Sequence, residues 1–476
     1  MPKSKHESVL KSVLKKIKPK RQQERKLKAL AEKALAATKL AAAKYGGRPM
    51  LVGSLTRNTW LPDKNEFDVF VLFPPDLPRE KLEENGLKIG KLVIKKLRGK
   101  SKIEYAEHPY VSGTVGKVDI DIVPCYEVES ADKLKSAVDR TPFHVRYIEK
   151  HLPLEKSDDV RLLKQFCKAH GVYGADARTE GFSGYVCELL VVKCGSAASA
   201  LKLVSEWRAG TIIDIEQFYD KKEYRNLRRQ FKDQTLILID PIDKNRNAAA
   251  AVSAESMYIL KKAAAGFLKK PDKKFFFAQK QKPISKSELK KIQKQRATEL
   301  ILLKFKPPKV VPDILWPQLR SFAERLEAIL KENEFKVLRS AVYTNEKDLA
   351  AALLELEVSR LPSVQKRIGP RVFEWDNSQR FVDKYIRTAQ VGPFIENNFW
   401  AVETKRRFLT AEEKLRDSLK DSKKILRAKG IPGYIADEIA KSHELVAEQG
   451  RIMGLVKKDR NFGIFLRRYF EKESLA

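Results

Sequence analysis

The sequence predicts an α+β fold made of several domains. At 476 residues the chain is too long for a single hydrophobic core, and a prior of about 150 residues per domain gives roughly three domains. A hydrophobic fraction of 43% supports packed domains rather than disorder. Strand-like segments mix with a helix between Pro49 and about Tyr126, whereas helical periods dominate from Asp139 to about Tyr258. These patterns favour a mixed first domain followed by a largely helical one.

The first domain is predicted from short segments in a regular order. Residues 7–45 have helical character, and Gly46-Gly47 ends this helix. The elements expected after it are a strand at 49–52, a strand at 67–73, a helix from Arg79 to Arg98, and strands near 102–106 and 118–123.

A Gly-Ser turn follows the first strand and precedes a strand with an acid-x-acid pattern. Gly53 allows a ligand to approach the main chain, so backbone N–H groups and the Ser54 hydroxyl can bind phosphate oxygens. Because successive side chains of a strand point to opposite faces, Glu66 and Asp68 share one face while Phe67 is buried on the other. Two carboxylates on one face can bridge two Mg²⁺ ions about 3.5–4 Å apart. This spacing predicts a metal-dependent triphosphate site.

A third carboxylate is expected from Val118–Pro124, where acidic and aliphatic residues alternate. Asp119 and Asp121 project from the same face of this strand, and such charges are costly in a β-branched strand unless they meet a metal or water. The spacing does not distinguish between the two aspartates. Glu66, Asp68 and one of this pair together predict the metal site.

The charge of the chain favours a polyanionic partner. Ninety-five Lys and Arg residues against 62 Asp and Glu residues give a formal net charge of +33, which is spread along the whole chain. Such a protein attracts nucleic acid with strong salt dependence, although a solubilising surface would have the same composition.

Other features favour a cytoplasmic protein that does not enter a membrane. The residues Met1 to His6 lack the apolar segment of a signal peptide, and no apolar run approaches the roughly 18 residues that span a bilayer. The cysteines show neither metal-site spacing nor paired motifs and are expected to be small buried residues in a reducing compartment: Cys125, Cys167, Cys187 and Cys194.

Further along the chain, helices are expected around Arg161–Lys168 and Gly181–Val192, followed by a buried strand at Thr235–Ile239 and a polar loop at 240–247. A charged linker is expected at Lys269–Lys274, and a basic helix at 286–296. The last 75 or so residues are expected to be helical and basic, with their closing aromatic residues packed in a core.

Several motifs occur in one order along the chain: Gly53-Ser54-x-x-Arg57-Asn58-Thr59-Trp60, Glu66-x-Asp68-Val69-Phe70, Glu107-His108-Pro109-Tyr110-Val111, Asp121-Ile122-Val123-Pro124-Cys125-Tyr126, Ser136-Ala137-Val138-Asp139-Arg140-Thr141-Pro142-Phe143-His144, Arg161-Leu162-Leu163-Lys164, Tyr173-Gly174-Ala175, Gly181-Phe182-Ser183-Gly184-Tyr185 and Asp240-Pro241-x-Asp243-x-x-Arg246-Asn247. In this combination the chain resembles the archaeal, class I CCA-adding enzymes, which are tRNA nucleotidyltransferases. The resemblance covers nearly the whole chain and is most specific over residues 50–250.

The resemblance implies a polymerase-β-like nucleotidyltransferase head followed by a helical neck, an α/β body and a tail. The implied segments are a head with N-terminal helices at 1–143, a neck at 144–265, a first part of the body at 266–325, a tail at 326–400 and a basic helical part of the body at 401–476. It also implies template-independent addition of C, C and A to the 3′ end of tRNA from CTP and ATP. The tRNA would be held by its acceptor and TΨC arms.

Site residues also follow from the resemblance. Glu66, Asp68 and Asp121 would be the catalytic carboxylates that bind Mg²⁺, so the family pattern favours Asp121 over Asp119. The residues that would hold the nucleotide are Gly53, Ser54, Arg57, Thr141, His144, Lys164, Tyr173 and Arg246. Arg246, which would help to read the base, has donors but no acceptor and therefore cannot select C and A alone; pairing with Asp243 is its simpler interpretation.

Other functions remain open on the sequence. A poly(A) polymerase or oligoadenylate synthetase shares the Gly-Ser and acid-x-acid elements but would use ATP alone. An RNA-binding protein that has lost activity is disfavoured by its three carboxylates, which would weaken RNA binding without metal. The sequence does not exclude an enzyme that adds only CC or only A. It also does not decide whether the chain forms a homodimer.

Overall fold

The computed structural model describes residues 5–105, 107–278 and 281–471 of the chain. The described residues form two compact units, one up to residue 278 and the other from residue 281. Residues 1–4, which enter the expectation about a signal peptide, lie outside the described part, as do Ala106 and the last five residues of the predicted segment 401–476.

The first unit contains helices and strands in roughly equal number. Its helices are α1 (Lys5–Ile17), α2 (Arg21–Ala43), α3 (Arg79–Lys96), α4 (Thr141–His151), α5 (Ser157–Ala169), α6 (Gly184–Cys194), α7 (Ala197–Glu206), α8 (Tyr224–Gln230) and α9 (Ala254–Lys269). Its strands are β1 (Arg48–Val52), β2 (Glu66–Phe73), β3 (Lys100–Tyr105), β4 (Pro109–Val115), β5 (Val118–Tyr126), β6 (Thr211–Ile213), β7 (Leu236–Asp240) and β8 (Asp243–Asn247).

A five-stranded sheet in the order β1-β2-β5-β4-β3 forms the head of the first unit. In β2 the apolar side chains of Phe67 and Val69 are buried, while Glu66 is exposed and Asp68 half-buried, as the alternation predicts. Helices α2 and α3 cover the buried face, where aliphatic side chains from the helices and strands form one core. The predicted α+β head is confirmed, and its sheet presents the acidic residues from its centre.

The helical character predicted over residues 7–45 is confirmed, although it is not one continuous helix. Two helices replace it, because α1 ends at Ile17 and α2 begins at Arg21. Pro19 lies between them; it lacks an N–H donor and disfavours helical backbone at Lys18. The helix of 79–98 is confirmed within two residues of its end.

Three strands that the sequence did not predict are present in the first unit, namely β4, the three-residue β6 and β8. Strand β4 contains Pro109 and Gly113, residue types that are unfavourable in strands, but Pro109 is the first strand residue. The predicted polar loop at 240–247 instead contains β8, which pairs with β7 in an antiparallel hairpin. Tertiary bonds hold this polar strand, since the Asn247 amide accepts from Leu238 N at 2.8 Å and donates to Leu236 O at 2.7 Å.

Helices α1, α4–α7 and α9 contribute to a second core in the first unit, in the region of the predicted helical neck. Its aromatic part includes Phe166, Phe267 and Phe276, which meet edge to face at 5.1–6.1 Å between ring centroids. The charged stretch predicted as a linker does not separate the units, because Lys273–Phe276 forms a 3₁₀ turn that buries Phe276 in this core. The predicted boundaries of the finer segments stay predictions.

The second unit contains a sheet covered on both faces by helices. Its helices are α10 (Lys286–Arg296), α11 (Pro312–Lys331), α12 (Trp375–Tyr385), α13 (Ala411–Leu419), α14 (Lys423–Ala428), α15 (Gly433–Lys441), α16 (Gln449–Lys458) and α17 (Arg460–Phe470). Its strands are β9 (Glu299–Phe305), β10 (Lys336–Thr344), β11 (Ala350–Val358), β12 (Val364–Arg371), β13 (Val391–Glu396), β14 (Phe399–Lys405) and β15 (His443–Val446).

The central sheet of the second unit has the order β10-β11-β9-β15. Alternate residues of β9 and β11 enter two separate cores, one packed with α11 and α13–α15 and the other with α10, α16 and α17. The predicted basic helix at 286–296 is confirmed as α10. Phe462 and Tyr469 of α17 are buried, so the closing aromatic residues pack in a core as expected.

A separate three-stranded sheet, β12-β14-β13, carries α12. Within the described ranges, no helix has the combined length and apolarity needed to cross a membrane. Of the four cysteines, three are buried and Cys194 is half-buried, and all are free thiols.

Candidate active site

Three carboxylates come together where the two central strands of the head lie side by side. Strands β2 and β5 are parallel, and their register pairs Glu66 with Asp119 and Asp68 with Asp121. Asp68 and Asp121 are therefore neighbours across the strands, and Glu66 lies two residues from Asp68 on the same face. The structure therefore places the three predicted metal ligands on one face of the sheet, and we term them the carboxylate cluster.

The electrostatics of this cluster disfavour its fully charged state. Burial raises the pKa of Asp68 to about 7, and the nearby charges of Asp121 and Glu66 add to the effect. Burial also raises the pKa of Asp121, against a hydrogen bond from Ser112 that lowers it. A cation placed between these groups would reverse the penalty, because it would favour the charged form of each carboxylate.

These residues fit a divalent metal ion. Hard oxygen donors are the ligands that such ions prefer, and the crowding of like charge is what a bound cation relieves. Across the described ranges, no three Asp, Glu, His or Cys side chains already converge on a common point at metal-ligand spacing. Glu66 instead pairs with Lys64 at 2.9 Å, and both side chains are about half exposed. This ion pair occupies Oε1 of the Glu66 carboxylate.

The structure separates the two aspartates that spacing could not distinguish. Asp121 is half-buried beside Asp68, whereas Asp119 is exposed and accepts a hydrogen bond from Thr114 Oγ1 at 2.8 Å. Asp121 thus has the position expected of the third ligand.

Gly53 and Ser54 lie in the loop between β1 and β2, directly beside the carboxylates. Gly53 has φ +87°, a conformation that favours glycine, and a Cβ atom there would lie 3.3 Å from Asp68 Oδ2. The Ser54 carbonyl accepts a hydrogen bond from Thr59 N at 2.9 Å, which closes the loop. The main chain of this turn therefore passes close to a carboxylate of the metal cluster.

A second cluster forms around Glu188, where the loop meets helices α5 and α6. Arg57 donates from Nε and Nη2 to Glu188 Oε2 at 3.1 and 2.9 Å. Lys164 Nζ lies 3.2 Å from Glu188 Oε1 and donates to Thr59 Oγ1 at 3.0 Å. Thr59 in turn donates to Glu188 Oε1 at 2.6 Å. Two predicted triphosphate ligands, Arg57 and Lys164, are thus held by one carboxylate.

Tyr173 lies at the edge of this second cluster. A Cβ atom added to Gly184 would be 3.3 Å from the Tyr173 hydroxyl and 3.4 Å from Lys164 Nζ, so the glycine leaves room where these two groups approach. Burial, followed by nearby thiols and Glu188, raises the pKa of Tyr173. Tyr173 therefore stays a neutral hydrogen-bonding phenol beside the ammonium group of Lys164.

A third cluster forms around Asp240, which is fully buried at the end of β7. His144 Nε2 lies 2.9 Å from Asp240 Oδ2, and Arg246 Nη1 donates to the same oxygen at 2.5 Å. The Tyr185 hydroxyl donates to Asp240 Oδ1 at 3.0 Å, and its ring contacts that of His144 in a tilted arrangement with 4.0 Å between centroids. Burial raises the pKa of Asp240, but His144 and Arg246 outweigh it and hold the pKa below its usual range.

The pairing of Arg246 with Asp243, the simpler interpretation of the sequence, is wrong. Asp243 instead accepts from Arg140 Nε at 3.3 Å, and Arg246 binds Asp240. Thr141 is the first residue of α4, one turn before His144, so helix α4 positions both of these predicted nucleotide ligands.

Glu188 and Asp240 were not predicted as site residues, although each organises a pair of predicted ligands. The sequence does contain an indication of Glu188, since it is a single acidic residue within the apolar run of α6. A carboxylate at such a position is costly to bury without cationic partners. The Asp240 signal was an acid at the end of a fully buried strand. Neither residue type identifies its partners, because Arg57 and Lys164 lie far from Glu188 in the sequence.

Comparisons with known proteins identify the family. The model of the nucleotidyltransferase domain matches residues 39–144, that of the second domain of tRNA nucleotidyltransferases matches 158–277, and that of the C-terminal domain of the CCA-adding enzyme matches 296–448. A CCA-adding enzyme from Methanosarcina acetivorans is 35% identical over 463 residues, which cover 96% of this chain and 97% of that protein. One from Methanoregula boonei is 40% identical over 362 residues, or 76% of each chain.

Among solved structures, a cytoplasmic RNA terminal U-transferase covers 58% of this chain with a TM-score of 0.44 and 13% identity, a likeness too distant to carry an argument. The matched domain models follow one another along both units, and the first of them contains the carboxylate cluster. On these matches, the chain belongs to the archaeal CCA-adding enzymes, a family of tRNA nucleotidyltransferases.

Proposed function

We propose that the carboxylate cluster and the clusters around Glu188 and Asp240 form the one active site of this CCA-adding enzyme. The site adds C, C and A to the 3′ end of tRNA from CTP and ATP and releases pyrophosphate. The observation that carries the proposal is the register of β2 and β5, which brings Asp68 and Asp121 together beside Glu66 and raises the pKa of Asp68 to about 7.

Glu66, Asp68 and Asp121 are the residues proposed to hold Mg²⁺. Bound Mg²⁺ supplies Lewis-acid activation of the terminal 3′-hydroxyl and charge neutralisation of the leaving pyrophosphate. The acidic side chains hold their positions because neighbouring strands of one sheet fix them. With the carboxylates committed to this role, the mechanism requires no side-chain general base.

The triphosphate is proposed to bind between the Gly53 turn and the Glu188 cluster. Backbone N–H groups and the Ser54 hydroxyl contact phosphate oxygens from the head. Arg57 and Lys164 add two positive charges, and Arg57 Nη1 has no hydrogen-bond partner within the described part of the chain although it is buried. Such a donor fits an anionic oxygen, which would satisfy it.

The sugar and base are proposed to contact the Asp240 cluster. Thr141 and His144 offer a hydroxyl and an imidazole group from helix α4, and Tyr173 offers its hydroxyl from the edge of the Glu188 cluster. Arg246, held by Asp240, presents its remaining N–H groups to the Watson–Crick edge. Because a guanidinium has donors and no acceptor, it requires tRNA groups beside it to distinguish C and A from G and U.

The excess of basic residues is proposed to bind tRNA through its phosphates and 2′-hydroxyls, mainly along the acceptor and TΨC arms. We place this reaction in the cytoplasm, and a homodimer stays a prediction.

Extension of a tRNA transcript that lacks its CCA end tests the function. The transcript is incubated with Mg²⁺ and each nucleoside triphosphate, alone and combined, and the products are sized. Addition that stops after CCA and needs both CTP and ATP supports the proposal. A long A tail from ATP alone would identify a poly(A) polymerase, and addition that stops at CC, or only A added to a tRNA ending in CC, would identify a partial enzyme.

A further inference from the structure

Glu188 is a buried charge that joins three elements of the first unit. It lies on α6 and is 0% exposed. Its hydrogen-bond partners come from the loop between β1 and β2, namely Arg57 and Thr59, and from α5, namely Lys164. Burial of a carboxylate raises its pKa, but here Lys164 and Arg57 lower the pKa of Glu188 below its usual range. The carboxylate is therefore charged, and both of its oxygens are occupied.

The hydrogen bonds of this cluster leave a defined set of donors on each cation. Arg57 uses Nε and Nη2 on Glu188, and its Nη1 has no partner among the residues described. Lys164 has three N–H donors, of which Thr59 and Glu188 accept two. With both cations held at one carboxylate, their remaining donors have fixed directions.

The charges of the cluster also suit an anion. Two cations and one carboxylate sum to one positive charge in a buried environment, where electrostatic attraction is stronger than in water. Without Glu188, two buried cations would repel each other, and each long side chain would have several orientations available.

We propose that Glu188 is a positioning residue for nucleotide transfer, which aims the remaining donors of Arg57 and Lys164 at the triphosphate. The proposal rests on the proposed function, because it assumes that these two cations bind the triphosphate. It adds that their orientation depends on a carboxylate that does not itself touch the substrate.

The test uses the full chain with Glu188→Gln, which keeps the size of the side chain and removes its charge. Three quantities are measured: the KM for CTP with a tRNA transcript lacking CCA, the inhibition constant of inorganic pyrophosphate, and that of CMP. We expect the first two to rise about tenfold or more, as the loss of a charge-assisted hydrogen bond implies. The inhibition constant of CMP and the Kd for tRNA should change less than about twofold.

A purely structural role would not separate these readouts. Asp214→Asn is the matched control, because Asp214 is also buried in the first unit but, among the residues that the structure describes, accepts a hydrogen bond only from the backbone N–H of Tyr219, at 3.0 Å. This variant should have a lower melting temperature, but its inhibition constant for pyrophosphate should not rise relative to that for CMP. If Glu188→Gln fails to fold, Glu188→Asp and Thr59→Val take its place, since each disturbs the cluster while keeping the charge.

The outcomes separate this proposal from the proposed function. The positioning role is overturned if a folded Glu188 variant keeps the wild-type KM for CTP and the wild-type inhibition constant for pyrophosphate. It is also overturned if the inhibition constants of CMP and pyrophosphate rise by the same factor. If the wild-type chain itself fails to extend tRNA, the proposed function fails first. If the variant still extends tRNA and binds pyrophosphate more weakly without a matching change for CMP, the result supports both the positioning role and the proposed function.

Discussion

Replacement of Asp68 by Asn should stabilise the metal-free protein at alkaline pH. The folded structure raises the pKa of this carboxyl from 3.8 to about 7. A carboxyl with a raised pKa binds its proton more tightly in the folded state, so stability falls as the pH rises from about 4 to about 7 and stays lower above that range. Each pKa unit corresponds to about 1.4 kcal/mol, so ionisation of Asp68 lowers the free energy of unfolding by at most about 4 kcal/mol.

Solvent screening reduces this bound, because Asp68 is only half-buried. A net gain of about 2 kcal/mol for Asp68→Asn at pH 8 is expected, which corresponds to a rise of about 5 °C in the melting temperature of the first unit. At pH 4 the side chain at position 68 is neutral in the folded state of both proteins, so their melting temperatures should be nearly equal. Saturating Mg²⁺ should stabilise the wild type and leave the variant nearly unchanged.

The assay is thermal unfolding from pH 4 to pH 8.5 in EDTA and in excess Mg²⁺. Asp119→Asn is the control, since Asp119 is exposed and accepts a hydrogen bond from Thr114, so no stabilisation is expected from it. A melting temperature for Asp68→Asn equal to or below that of the wild type at pH 8 in EDTA would refute the electrostatic reasoning.

Further predictions concern the turn, the neck and the charge of the chain. Gly53→Ala should lower kcat for CMP addition by about 100-fold, because φ +87° strains alanine and displaces the turn beside Asp68; unchanged single-turnover rates would contradict it. Asp240→Asn should raise the KM for both CTP and ATP about tenfold by releasing His144 and Arg246, and steady-state kinetics that show no change would exclude this role. The Kd for tRNA, measured by filter binding, should rise on the order of 10³-fold between about 50 and 200 mM salt, and a flat profile would rule out binding through phosphates.

The local sequence pattern was sufficient to predict features that depend on residues adjacent in the chain. The period of two in β2 placed Glu66 and Asp68 on one face, and the structure confirms it. The turn at Gly53 was readable because its backbone conformation favours one residue type. Strand β8 was missed because its polar residues lack alternation, and bonds from Asn247 to the neighbouring strand hold it in place.

Most partners of the buried carboxylates could not be predicted, because they depend on how elements distant in the sequence pack. Glu188 meets Arg57 across 131 positions and Asp240 meets His144 across 96. The resemblance to a family indicated that the predicted nucleotide ligands, among them Arg57, Lys164 and His144, belong to one site. It did not indicate which carboxylate binds each of them. The family resemblance already favours Asp121 over Asp119, and the register of β2 and β5 agrees with it, because Asp121 pairs with Asp68.

That register leads to the most direct test of the proposed site. Single-turnover addition of CMP to a tRNA transcript lacking CCA is measured in Mg²⁺ for Asp121→Asn and Asp119→Asn, two changes of the same chemistry two residues apart on one strand. A site built on Asp121 predicts a loss of at least about 100-fold for Asp121→Asn and a change within a few-fold for Asp119→Asn. Equal losses in the two variants, or a greater loss for Asp119→Asn, would contradict it.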